Sequence, residues 1–158
     1  MPTKRAYESS NGEKGNTLKL GLRKPKQKEQ SEVTTAESVG SNRLRELCGN
    51  DAELFTTMSR LMFLDPKKII TPLDKTLKEA QDYEAQGNKL RAEIGYRIAG
   101  GISLSKGDLD GVNTYFSKAT SLAGDSHPEY QIILKKSREA VAVAGKYYAE
   151  FDSANLQA

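Results

Sequence analysis

The sequence predicts an all-helical fold, a small antiparallel helical stack, preceded by a disordered basic N-terminal tail. Two observations carry this prediction. A glycine followed by a short polar residue occurs twice, at Gly87-Asn88 and Gly107-Asp108, each time between stretches in which apolar residues keep helical spacing. The first forty residues hold few apolar side chains, and such a segment cannot bury enough surface to offset the entropy of ordering. We therefore place the tail at 1–40 and the helical domain at 41–158.

Charge separates the tail from the domain. Residues 1–28 carry eight Lys or Arg and two Glu, a net charge of +6, whereas residues 29–158 carry sixteen Lys or Arg against nineteen Asp or Glu, a net charge of −3. A basic segment on a mildly acidic body favours contact with something anionic.

A short linear motif is predicted at 17–28, where leucines alternate with basic or small residues in the period of a strand. Its residues are Leu18, Lys19, Leu20, Leu22, Arg23, Lys24, Lys26 and Lys28. Two roles fit this pattern, since the motif can add as a strand to a protein partner or lie along a phosphate backbone. The alternative is a solvated basic tail with incidental leucines.

Two short helices are predicted to open the domain. Residues 43–48 form a turn or two of helix that Gly49 ends. Residues 50–53 then have the polar cap and following acid of a capping box, and the apolar residues behind them keep helical spacing as far as Asp65. Cys48 is expected to be a small core residue.

The next two helices meet at the first glycine turn. Residues 71–74 predict a helix start, with threonine as the cap, proline at the first helical position and aspartate at the positive end of the helix dipole. Gly87 ends that helix because glycine adopts the left-handed conformation without strain, and Asn88 caps the following one. Along the following helix the sequence predicts one stripe, formed by Leu90, Ile94, Ile98, Ile102 and Ser105.

Three glycines lie inside this helix, at Gly95, Gly100 and Gly101. Each costs roughly 1 kcal/mol relative to alanine, so a structural reason is required. Close approach of neighbouring helices is the simplest reason, and a flexible or kinked segment is the alternative.

The last part of the chain repeats the same signals. After the second turn an amphipathic helix is predicted, with a stripe at Leu109, Val112, Phe116, Ala119 and Leu122. Ser126 and Glu129 form a second capping box. One long helix follows with heptad-like spacing from Tyr130 to Phe151, and we expect it to pack within the domain rather than against a partner helix.

The residues around the two turns resemble the tetratricopeptide repeat, a 34-residue helix–turn–helix, in a degenerate form over residues 73–126. In the frame 93–126 the match is carried by Tyr96, Ala99, Gly100, Lys106, Gly107, Asp108, Val112, Phe116 and Ala119. An overlapping frame covers 73–106. The two turns lie 20 residues apart rather than 34, so one helix serves both frames and the stack is short.

The resemblance implies protein binding through a groove lined by the first helix of each pair. The groove positions that it implies are Ile94, Arg97, Gly101, Leu104 and Ser105. The lysine–asparagine carboxylate clamp of chaperone-binding members is absent, because Arg97 and Gly101 occupy those positions. We therefore expect a non-catalytic intracellular adaptor or accessory subunit that binds a protein partner. The alternative is a nucleic-acid-associated accessory factor of a replication, transcription or ribosomal complex, which contacts phosphates through its basic tail.

The sequence offers little for catalysis. One histidine, His127, and one cysteine provide neither a recognisable triad nor zinc-ligand spacing. There is no secretory signal and no apolar run long enough to span a bilayer. We expect no enzyme activity, no cofactor, no metal and no membrane association, and a cytoplasmic location. The oligomeric state is left open.

Overall fold

The computed structural model describes the backbone of residues 39–156 and the side chains of residues 39–152. Within this range the chain forms helices and no strand, which confirms the all-helical prediction. None of these helices is both long enough and apolar enough to cross a bilayer. The predicted motif at 17–28 lies outside the described residues. The helices are α1 (39–48), α2 (Ala52–Leu61), α3 (Leu73–Ala85), α4 (Lys89–Lys106), α5 (Leu109–Ala123), α6 (Pro128–Lys135) and α7 (Ser137–Leu156), with short 3-10 turns at Pro66–Lys68 and Gly124–Ser126.

The predicted capping box places the cap of helix α2 at Asn50, but Asp51 holds that position, and the helix also ends earlier than predicted. The Asp51 carboxylate accepts a hydrogen bond from the backbone N–H of Leu54 at 2.9 Å and so caps the helix. The helix ends at Leu61 rather than near Asp65. Beyond it the backbone carbonyls of Phe63 and Leu64 accept hydrogen bonds from the hydroxyls of two α7 tyrosines, which hold this segment against α7.

Both glycine turns are confirmed. Gly87 and Gly107 have φ angles of +75° and +69°, a region that favours glycine. After each glycine a short polar side chain caps the next helix: Asn88 accepts from the N–H of Arg91 at 3.3 Å, and Asp108 accepts from the N–H of Gly111 at 3.0 Å. The threonine cap predicted for α3 is wrong. Pro72, with an extended ψ of 147°, occupies the cap position, and no side chain makes a capping hydrogen bond there.

Close approach explains the glycines inside α4. A Cβ added at Gly95 would lie 2.7 Å from the Cβ of Ala80 on α3. A Cβ added at Gly100 would lie 2.7 Å from the buried ring of Phe116 on α5. Both distances are far below van der Waals contact, so helices α3 and α5 approach the bare backbone of α4.

The end of α2 crosses α4 at the third glycine. A Cβ at Gly101 would lie 2.8 Å from the ring of Phe63 and 3.0 Å from the carbonyl oxygen of Leu61. Helix α4 is therefore contacted on three sides, and the expectation of close helix packing holds for each of its internal glycines.

The side chains that α4 buries differ from its predicted stripe. Of that stripe only Ile102 is fully inside the domain, whereas Leu90, Ile94 and Ile98 are exposed. The glycine contacts set the rotation of α4 about its axis, and the side that turns inward carries Tyr96, Ile102 and Leu104 together with small residues. The stripe predicted for α5 is confirmed, since Val112, Phe116 and Ala119 are completely buried and Leu122 is partly buried.

The predicted long C-terminal helix is two helices. The chain leaves helical geometry at Lys136, where φ is −112° and ψ is 29°, between α6 and α7. The Lys136 ammonium lies 2.8 Å from an Asp51 carboxylate oxygen and 2.9 Å from a Glu53 carboxylate oxygen, so this junction is tied to the start of α2.

The capping box predicted before α6 is wrong. His127 holds the cap position, and Pro128 is the first residue of the helix. Instead of reaching back to a serine, the Glu129 carboxylate lies 3.1 Å from Nδ1 of His127.

The glycine contacts make a testable prediction. Gly95→Ala should lower the free energy of unfolding by up to about 2 kcal/mol, because overpacking costs about 1–3 kcal/mol and the helix-forming advantage of alanine returns only about 1 kcal/mol. Gly145→Ala is the matched control, since Gly145 also lies inside a helix but has nothing within 4 Å of an added Cβ. It should raise the stability. Urea denaturation followed by circular dichroism measures both, and an equal gain in the two variants would contradict the close approach at Gly95.

Candidate functional site

Helix α4 carries a row of three large apolar side chains that remain open to solvent. Leu90, Ile94 and Ile98 are spaced four residues apart and therefore lie along one face of the helix. Their exposed fractions are 68%, 42% and 36%. At 1.5 Å per residue the row is about 12 Å long. We call these three residues the apolar row.

The neighbouring helices place the row in an open strip. Gly95 faces α3, and Arg97 and Gly101 face the end of α2, where Arg97 donates a 2.8 Å hydrogen bond to the carbonyl of Arg60. With 3.6 residues per turn, Ile94 and Ile98 lie on the sector of α4 between these two contacts. The row is thus the surface of α4 that α2 and α3 leave uncovered.

The row has enough apolar surface to anchor a partner but not to bind one alone. Its exposed fractions add up to about one and a half side chains, and full burial of a leucine or isoleucine contributes about 1.5–3 kcal/mol. Covering the row would therefore contribute roughly 2–4 kcal/mol. A stable interface buries about 800 Å² on each partner, so residues beside the row must also take part.

Two arginines bracket the row. Arg91 and Arg97 lie three residues before and three residues after Ile94, so both are its neighbours on the helix surface. The Arg91 guanidinium lies 5.4 Å from the centre of the Tyr83 ring and 3.4 Å from its hydroxyl. Arg97 contacts the carbonyl of Arg60. The described residues provide no carboxylate within ion-pair distance of either arginine.

The acid of α4 is turned away from this strip. Glu93 is only 4% exposed, and its carboxyl accepts a hydrogen bond from the hydroxyl of Tyr130 on α6. Burial raises the pKa of Tyr130, and the adjacent Glu93 raises it further, so the hydroxyl keeps its proton and remains the donor. This bond ties α4 to α6 and leaves the exposed side of α4 with positive charge.

The structure separates the five groove residues that the sequence proposes. Ile94 and Arg97 lie at the open strip. Leu104 is fully buried and Gly101 is enclosed against the end of α2, so neither forms part of an accessible groove. The Ser105 hydroxyl donates to the carbonyl of Ile102 at 2.6 Å, within its own helix. That the strip binds a partner stays a prediction.

Sequence reasoning missed two residues of this surface. The predicted stripe places Leu90 and Ile98 on the same face as Ile102. It therefore implies that both pack on the same side of α4 as Ile102. The positions of Gly95 and Gly100 contained part of the missing signal. They mark the sides of α4 that approach other helices closely, and the apolar row lies away from Gly95 and Gly100.

A concave surface lies between α2 and α6. Its volume is about 360 Å³, and it is lined by Ala52, Glu53, Thr56, Thr57, Arg60, Pro128, Glu129 and Ile132. Two of its carboxylates already have partners, since Glu53 lies 2.9 Å from the Lys136 ammonium and Glu129 lies 3.1 Å from His127. This groove therefore offers no set of free polar groups that converge on one point.

Other reactive groups are not gathered into a site. In the part of the chain that the structure describes, no three His, Cys, Asp or Glu side chains form a cluster able to hold a metal ion. Cys48 is buried in the core, as predicted, and burial raises the pKa of its thiol. A protonated thiol is a weak nucleophile.

Comparison with known proteins adds no relative: no protein-family model, no curated protein and no solved structure matches this chain.

Two leucines of α4 provide a test of the placement. Leu104→Ala should lower the free energy of unfolding by about 2–5 kcal/mol, because it leaves a cavity at a fully buried position. Leu90→Ala, the same substitution in the same helix, should change it by only about 0.5 kcal/mol, because that side chain is largely exposed. Urea midpoints of the two variants measure the difference. An equal loss in free energy of unfolding for the two variants would show that the apolar row is not exposed at the surface.

Proposed function

We propose that the chain is a non-catalytic adaptor or accessory subunit that acts inside the cell and binds a protein partner across the open strip of α4. The observation that carries the proposal is the apolar row, exposed on the helix around which α2, α3 and α5 pack. Aligned apolar anchors on a helix are typical of surfaces that recognise another helix or an apolar segment.

The rigidity of α4 supports this proposal. The helix is fixed by glycine contacts to α3, α5 and the end of α2, and by the hydrogen bond from Tyr130 to Glu93. Because the strip is already formed in the free protein, a partner would not have to order it. A preformed surface lowers the entropic cost of binding.

The resemblance to tetratricopeptide repeats supports the same proposal. The two glycine turns and the contact between Gly100 and Phe116 fall at positions that carry the resemblance. We therefore regard α3–α4 and α4–α5 as two overlapping tetratricopeptide-like hairpins that share α4. The proposed binding surface is on α4, as the resemblance implies, but it centres on the apolar row rather than on the buried Gly101 and Leu104.

The proposal predicts that one charge in the row disrupts partner binding without unfolding the domain. Ile98→Asp should weaken partner binding at least about tenfold, because burying an unpaired carboxylate in an apolar contact is costly. The measurement is quantitative co-purification with a tagged copy expressed in the cells of origin, followed by reconstitution of the complex from purified components.

Ile70→Asp is the matched control. Ile70 is 86% exposed and precedes α3, outside the open strip. The partner should be retained by this variant and lost by Ile98→Asp, with unchanged circular dichroism in both. A partner that is retained equally by both variants, or the absence of any stoichiometric partner, would refute the proposal.

A second candidate function is favoured by the distribution of charge along the sequence. The net charge of +6 within residues 1–28 supports a role in which the tail contacts nucleic acid through Lys19, Arg23, Lys24, Lys26 and Lys28. Five phosphate contacts would give a plot of log affinity against log salt concentration with a slope of about −4.5 on duplex DNA. Fluorescence anisotropy with labelled duplex DNA and RNA measures this slope. The absence of binding at low salt would exclude this function.

A further inference from the structure

We propose that the occupant of the open strip is an amphipathic helix whose apolar side is flanked by Asp or Glu. This inference rests on the proposed function and specifies the chemistry of the partner. Two features support it: the charges beside the apolar row and the shape of the row itself.

The positive charges at the strip have no acidic partners among the residues that the structure describes. The contacts of Arg91 are to the ring and hydroxyl of Tyr83, and the contact of Arg97 is to a backbone carbonyl. Some cations elsewhere do have such partners: Lys118 lies 3.4 Å from a Glu84 oxygen, and the Lys136 ammonium lies between two carboxylates. The arginines beside the row are therefore left to interact with carboxylates supplied from outside.

The acid of α4 itself cannot take that role. Glu93, the one acid of α4, is buried against Tyr130 on the inner side of the helix. The charged side chains that α4 exposes to solvent are consequently all positive.

The same charges argue against a second copy of this chain as the occupant. A two-fold interface centred on Ile94 would place Arg91 and Arg97 of one protomer close to the same arginines of the other. Like charges brought together at an interface oppose association. The same arginines would attract an acidic partner, and electrostatic steering would speed its association.

The shape of the row favours a helix as the partner. The three side chains form a ridge with a spacing of four residues along about 12 Å of α4. Ridges of this spacing pack into the grooves of a second helix at an interaxial distance of about 8–10 Å. In such packing the arginines on either side of the ridge lie opposite the flanking positions of the partner, where carboxylates would meet them.

The experiment uses the full-length protein and three synthetic helical peptides of equal length. The acidic peptide has leucines in a heptad row flanked by glutamates, the basic peptide replaces the glutamates with lysines, and the third keeps the glutamates but replaces the leucines with alanines. Binding is measured by fluorescence anisotropy, and the location by chemical-shift changes of the methyl groups of Leu90, Ile94 and Ile98. We expect only the acidic leucine peptide to bind, with an affinity that falls as salt is raised.

Charge exchange tests the position of the contacts. The double variant Arg91→Glu with Arg97→Glu should lower the affinity for the acidic peptide at least about tenfold. It should also allow the basic peptide to bind. Lys89→Glu with Lys106→Glu is the matched control, because it changes the net charge equally on the same helix at positions that are not three or four residues from Ile94. If the double arginine variant loses its helical circular dichroism, the salt dependence measured on the unaltered protein decides the question.

Several outcomes would overturn the inference. They are tighter binding of the basic peptide, equal binding of all three peptides, no binding at millimolar peptide, or a dimer of the unaltered protein that Ile98→Asp dissociates. A native partner that is lost in Ile98→Asp but is insensitive to both salt and arginine reversal would keep the proposed function and reject the acidic helix. If the acidic peptide binds while Ile98→Asp retains its native partner, the surface chemistry is supported and the proposed function fails.

Discussion

The structure depends on the close approach of three elements to the bare backbone of α4. Ala80 packs directly against Gly95, and the ring of Phe116 packs against Gly100. The end of α2 packs against Gly101. Glycine inside a helix is unfavourable by roughly 1 kcal/mol at each position, and the packing that these glycines permit offsets that cost. Because each contact faces a different direction, together they fix the rotation of α4, and this rotation decides which of its side chains are exposed.

Tyrosine hydroxyls connect the C-terminal helices to this centre. Tyr147 and Tyr148 of α7 donate to the carbonyls of Leu64 and Phe63 at 2.7 and 2.6 Å. These bonds satisfy backbone groups of a segment that has left helical geometry, where unpaired buried carbonyls would be costly. Since Phe63 also lies against Gly101, the same segment joins α7 to α4. The C-terminal helices thereby support the packing on which the open strip depends.

This packing leaves one sector of α4 uncovered. A helix held on several sides presents its remaining sector as a fixed surface, and on α4 that sector holds three aliphatic side chains between two arginines. Apolar groups provide the anchor, and the arginines give that surface a preference for a partner of opposite charge. Both features come from the orientation of α4 rather than from any reactive group.

Local signals in the sequence determined where several helices begin and where the chain turns. The turns at Gly87 and Gly107, the caps at Asn88 and Asp108, and the buried stripe of α5 were all predictable. These features depend on conformational preference and on hydrogen bonds within a few residues. Helix ends that involve distant partners were not predictable: the end of α2 depends on tyrosines of α7, and the break at Lys136 lies where its ammonium meets carboxylates of α2.

The sequence by itself also determined that α4 would be a helix with three glycines in need of neighbours. Only the tertiary structure decided which apolar residues of α4 would be core and which would be surface. Periodicity places Leu90, Ile94 and Ile98 on one face, but it contains no information about which face turns inward. That choice was made by contacts with residues as distant in sequence as Phe63 and Phe116, because the glycines allow the closest approach and these three aliphatic side chains were left outside.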